Sequence, residues 1–178
     1  SRSGEANSIA TLELPPGQAH CFASLKETGI PIIVVVFAGR PLDLRGLGGA
    51  DAILYGWHPG ISGGRCIADV IFGDVNPSGK LPITLPRSVG HLPQYYNYLS
   101  TGRPTDIDDR CSNRRYRDSL DGPLYPFGYG LSYTEFAFSH LAAQQDSIRL
   151  GETAQFSVEV RNTGERTGDV VVQWYVRD

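Results

Sequence analysis

Pro31 to Ala38 (PIIVVVFA) is a continuous apolar, largely β-branched run with no charge and no polar alternation. β-branched side chains favour the extended backbone, and a strand without alternation suits a sheet covered on both faces. That points to a parallel sheet within an α/β fold. Asp51 to Trp57 (DAILYGW) is a second candidate strand. Pro16 to Thr28 reads as a helix, with Pro16 in its first turn and Gly29 just past its end. Ala19, Phe22 and Leu25 give it a narrow apolar stripe. Ser62 is placed to cap a second helix running to Phe72 and ended by Gly73. Helix, strand, strand, helix with short loops makes part of an open α/β sheet.

From residue 74 to 131 the pattern changes. Proline recurs at Pro77, Pro82, Pro86, Pro93, Pro104, Pro123 and Pro126, and periodicity is lost. So long an irregular stretch reads as a connector laid over a surface, or as loops that shape a site. Ile83 to Leu85, bracketed by prolines, is a short strand confined to a sheet edge or end. Residues 134–178 read as β structure. Thr153 to Val160 alternates, with Phe156, Val158 and Val160 on one face, and Asn162-Thr-Gly164 signals a turn. Val170 to Val176 is the next candidate strand, and the sheet is unfinished at Asp178.

The 178 residues fit one ordinary domain or two small ones. Net charge is −3, which argues against nucleic acid or an anionic membrane as partner. No apolar run reaches the ~20 residues of a membrane-spanning helix. Cys21, Cys66 and Cys111 form no CxxC pair and no zinc pattern, so they read as buried or idle thiols, with one disulfide open as an alternative. His20, His58, His91 and His140 are scattered and read as surface or hydrogen-bonded side chains; no metal or other cofactor is expected. Gly46-Leu-Gly-Gly49 precedes a strand instead of opening a helix, which argues against a phosphate loop. Trp57-His-Pro-Gly60 follows a candidate strand and precedes a helix, where ligand sites of α/β sheets sit. Trp57 could stack on a sugar ring there, or pack in the core beside a tight turn.

Three segments taken together are specific: LYPFGYGLSYTEF (124–136), IADVIFGDVNPSGKLPITLPRSVG (67–90) and ADAILYGWHPGISGG (50–64). In residues, order and spacing they resemble glycoside hydrolase family 3. LPQYYNYLSTGRP (92–104) and RRYRD (114–118) resemble its bacterial β-glucosidase branch. The resemblance implies an α/β fold: a partial α/β sandwich followed by the start of a fibronectin type III-like β-sandwich. Residues 1–121 would be the later part of the α/β sandwich with its trailing connector, 122–133 a linker, and 134–178 an incomplete fibronectin type III-like domain. The chain would be a C-terminal fragment.

The resemblance also implies chemistry. The family removes terminal β-linked sugars by a retaining double displacement, which needs two carboxyl groups ~5 Å apart. Its nucleophilic Asp lies in an N-terminal barrel domain, the implied partner of this chain. Its acid/base Glu precedes an apolar-Pro stretch, and Glu5, ten residues before Pro15, has that spacing. Many relatives carry Arg and Asp in between, where this chain has Ile9 and Thr11. Trp57, His58, Arg115 and Tyr116 are candidate substrate-binding residues, for a β-linked glucoside or xyloside. A secreted or periplasmic location is implied, and the isolated chain is expected to be inactive. The competing readings are a non-catalytic carbohydrate-binding or interaction module, and an α/β nucleotide enzyme, which the missing phosphate loop disfavours.

Overall fold

The computed structural model describes residues 6–97, 99 and 116–176. They fall into two compact units, one drawn from residues 1–65 and 81–129, the other from 66–80 and 130–178.

The first unit opens with α1 (Pro16–Lys26). Pro16 costs this helix nothing, because a first-turn N–H has no intrahelical acceptor. Lys26 in the last turn complements the negative end of the helix dipole. The helix ends two residues before Thr28, whose hydroxyl donates to the Leu25 carbonyl at 2.6 Å and takes an acceptor that the next turn would have used. Gly29 follows in the left-handed conformation that glycine adopts without strain.

Strands β1 (Ile33–Val36) and β2 (Ala52–Tyr55) pair in parallel, with Val34 opposite Ile53 and Val36 opposite Tyr55. The crossover between them carries a 3-10 helix, Leu44–Leu47. Phe22, Val36, Leu44, Leu47 and Leu85 form the core, with Ile32, Val34 and Ala38 packed against it. Coverage of β1 is one-sided among the described residues: Ile33 and Phe37, on the other face, remain about half exposed at 50 % and 59 %. The apolar run therefore exceeds what these residues can bury.

Residues 81–86 and 124–129 send side chains into the core, which a connector laid over the surface would not do. Leu85 is the most buried core side chain, and it bridges Tyr125 in antiparallel fashion. Its N–H donates to the Tyr125 carbonyl at 2.8 Å, and Leu124 N–H donates back to Leu85 at 3.0 Å. The expected strand at Ile83 to Leu85 is thus reduced to a single bridge. The flanking prolines lack the N–H groups that a longer ladder would use.

In the second unit, the end of α2 (Gly63–Ile71) leads into a polar knot. Asn76 Oδ1 accepts from Ser132 Oγ at 3.1 Å and from Tyr133 N–H at 2.8 Å. Arg166 donates to the Gly73 carbonyl at 2.8 Å, satisfying a carbonyl just past the helix end. Strands β3 (Phe136–Ala143) and β4 (Phe156–Asn162) pair antiparallel. The register slips between Ser139 and Ala142, where His140 takes φ +52° and inserts one extra residue as a bulge. Val170 to Val176 pairs with no strand among the described residues. Its side chains pack instead: Val172 and Trp174 line an apolar groove of about 460 Å³ with Phe138, Leu141 and Val158.

Candidate active site

Parallel strands bring their carboxyl ends to one edge, and the loops that leave those ends lie side by side. β1 runs into residues 37–43 and β2 into residues 56–62. The Tyr55 hydroxyl, on the last residue of β2, donates to the Arg40 carbonyl at 2.6 Å. Burial pushes this phenol up to about 12.

The segment leading into α1 is tied to the same loop. Arg40 Nη1 donates to the Ile9 carbonyl at 2.7 Å, and Asp43 N–H donates to the Leu12 carbonyl at 2.7 Å. Asp43 in turn caps the 3-10 helix by accepting from Arg45 N–H at 3.0 Å. Arg45 clamps its carboxylate through Nε and Nη2, at 3.0 and 2.6 Å. Burial alone would raise the Asp43 carboxyl. The hydrogen bonds and charge of Arg45 outweigh it and hold the group below its ordinary value.

The loop after β2 is a tight turn. Trp57 has φ +51°, a conformation costing of order 1–3 kcal/mol for a bulky residue, which persists only where its surroundings impose it. Its ring packs on Tyr55 with centroids 4.4 Å apart, and it is half-buried. His58 is exposed and lies over Gly39: a Cβ there would stand 2.5 Å from Nε2. Gly63 starts α2 against Pro59, again where a Cβ would not fit.

A second cluster holds Tyr116. His91 is buried, with Nδ1 paired to Ser88 Oγ and Nε2 to the Leu120 carbonyl, each at 2.9 Å. Tyr116 lies on the His91 ring at 4.3 Å and donates its hydroxyl to the Gly90 carbonyl. His91 therefore has the hydrogen-bonded role read from the sequence.

Trp57 and His58 thus share one loop, and Tyr116 belongs to the His91 cluster. Glu5 and Arg115 lie outside the described residues, as do Cys111 and the adjoining Arg114. Cys21 and Cys66 are free and exposed, so of the buried or idle thiols expected they are the idle kind. Arg40 and Tyr55 were missed by sequence reasoning. The signal was present, since Gly39-Arg40-Pro41 stands after β1 as Trp57 stands after β2.

Residues 1–133 match the glycosyl hydrolase family 3 C-terminal domain. Over 176 residues the chain is 48 % identical to a periplasmic beta-glucosidase of Salmonella typhimurium, covering 98 % of this chain and 23 % of that protein. A beta-xylosidase of Formosa agariphila is 43 % identical over 176 residues, 98 % of this chain and 24 % of its own length. The fold superposes on the beta-glucosidase of Listeria innocua, solved in complex with isofagomine, with a TM-score of 0.86 at 38 % identity, covering 93 % of this chain and 24 % of that one. The chain spans about a quarter of the length of these relatives.

Proposed function

The chain belongs to glycosyl hydrolase family 3 through that family's C-terminal domain, and from that premise we propose that it is part of an exo-acting, retaining β-glycosidase to which it supplies the acid/base carboxylate, Glu5. The observation that carries this reading is the match of residues 1–133 to the C-terminal domain, within relatives about four times as long. The substrate is a terminal β-linked glucoside or xyloside, the two sugars named by the relatives.

In this mechanism an aspartate in a barrel domain of the same enzyme attacks the anomeric carbon. Glu5 protonates the departing glycosidic oxygen, then takes a proton from the water that releases the sugar. Trp57 offers an aromatic face to a sugar ring, and His58, Arg115 and Tyr116 line the approach. Support for Glu5 is its spacing from Pro15, and the two bonds by which the following segment, at Ile9 and Leu12, is fastened to the loop after β1.

The chain divides, in this reading, into the later part of an α/β sandwich with its connector (1–121), a linker (122–133), and the opening of a fibronectin type III-like domain (134–178). The half-exposed Ile33 on β1 and Phe37 just past its end, and the groove lined by Phe138, Val158 and Trp174, support it. Both are apolar surfaces of the kind that further strands and helices would cover. A periplasmic or secreted location accords with the name of the Salmonella relative.

The test is turnover of aryl β-glycosides. The 178-residue chain alone should show none, and the full-length polypeptide should hydrolyse them with retention. Steady turnover by the isolated chain would overturn the division of the two carboxylates between domains.

A further inference from the structure

We propose that His91 is the positioning residue for Tyr116: its imidazole is the bed on which the Tyr116 ring rests, and its hold on Leu120 fixes the main chain beside it. The inference rests on the reading of Tyr116 as a substrate-binding residue.

His91 is a buried ring fixed at both nitrogens. A carbonyl oxygen only accepts, so Nε2, 2.9 Å from the Leu120 carbonyl, carries a proton. The neutral ring then accepts from the Ser88 hydroxyl at Nδ1, also at 2.9 Å. The His91 N–H donates to the Ser88 carbonyl at 3.1 Å, so imidazole and hydroxyl belong to one tight turn. Turning the imidazole would strand its partners, which is costly where the ring is buried.

Three contacts set Tyr116, and each leads back to His91. The two rings lie with centroids 4.3 Å apart and planes inclined at 34°. The Tyr116 hydroxyl donates to the carbonyl of Gly90, the residue before His91, across 26 residues of sequence. The Tyr116 N–H donates to Asp121 Oδ1 at 3.2 Å, and Asp121 follows Leu120, which His91 holds. Main chain, ring and hydroxyl are thus all fixed. A ligand that meets a ring already in place does not have to order it, and that saving appears as affinity. Tyr116 is only partly buried, so ring surface remains for a sugar. Its hydroxyl proton is committed to Gly90, so what it offers is aromatic surface and not a donor.

The experiment is a double-mutant cycle on KM in the full-length polypeptide, with p-nitrophenyl β-glucoside and β-xyloside as probes. His91→Ala and Tyr116→Ala should each raise KM about fivefold with kcat little changed. The double variant should show about the same fivefold rise, where independent losses would multiply to about 25-fold. A multiplied rise, an unchanged KM in His91→Ala, or a loss there confined to kcat would overturn the proposal and leave Tyr116 in its role. An unchanged KM in Tyr116→Ala removes the substrate reading of Tyr116, and the role of His91 with it. Should His91→Ala fail to fold, His91→Gln carries the same cycle: its amide keeps a donor for Leu120 but offers no ring, and the same non-additivity is expected.

Discussion

The Tyr55 hydroxyl donates to the Arg40 carbonyl at 2.6 Å and so fastens the end of β2 to the loop that leaves β1. Tyr55→Phe deletes that donor and leaves a partly buried carbonyl unpaired, at a cost of about 1–2 kcal/mol. The wild-type phenol titrates at about 12, above its unfolded value near 10. A raised pKa means the folded state binds the proton more tightly. Its stabilisation is therefore complete below about pH 10 and is lost as pH rises towards 12. The difference in denaturation midpoint between wild type and Tyr55→Phe should shrink over that interval.

Asp43 gives the opposite slope. Arg45 holds its carboxyl below the ordinary value, so its contribution is present above about pH 4 and is lost as pH falls through the folded value. Arg45 is 56 % exposed against 8 % for Asp43, so much of the pair is screened by water. Asp43→Asn keeps a capping oxygen and loses the charge. It should cost about 1 kcal/mol at neutral pH and less as pH falls through the folded value, as followed by urea unfolding.

The two glycines of Phe127-Gly-Tyr-Gly130 should fail for different reasons. Gly128 has φ +78°, so Gly128→Ala strains the backbone by about 1–2 kcal/mol. At Gly130 a Cβ would stand 2.5 Å from the Gly79 carbonyl oxygen, which is main chain and cannot swing aside. Gly130→Ala should be the more damaging of the pair, by about 1–3 kcal/mol or more, in a thermal unfolding comparison.

Trp57→Ala tests the sugar platform. An aromatic face contact worth about 1 kcal/mol predicts a KM about fivefold higher in the full-length enzyme, with kcat little changed. An unchanged KM would leave Trp57 as packing for Tyr55 alone.

The elements legible in the sequence were those set by local chemistry. Pro16 and Gly29 framed α1, and the β-branched run became β1, because backbone preference and capping act within a few residues. The coverage of β1 was not legible, since Ile33 and Phe37 look no different from Val34 and Val36 in sequence. Leu85 was read as edge structure because its proline neighbours dominate any local pattern. Its burial comes from residues distant in sequence, from Phe22 and Leu47 to Tyr125, 40 residues on. Val170 to Val176 is rich in β-branched and aromatic residues like a strand, yet strand pairing depends on a neighbouring strand, which propensity does not supply. At the candidate site, Trp57 was visible through its place after β2. The Arg40 tie runs to a backbone carbonyl, which carries no residue signature, so only the fold reveals it.

The groove beneath Val172 and Trp174 has a practical consequence. Among the described residues it is walled by a sheet of only two strands, with Phe138, Leu141 and Trp174 each at least half exposed. Open strand edges beside uncovered apolar side chains are a template for self-association. At this length the polypeptide should form concentration-dependent oligomers, and Trp174 emission should shift to the blue as they assemble.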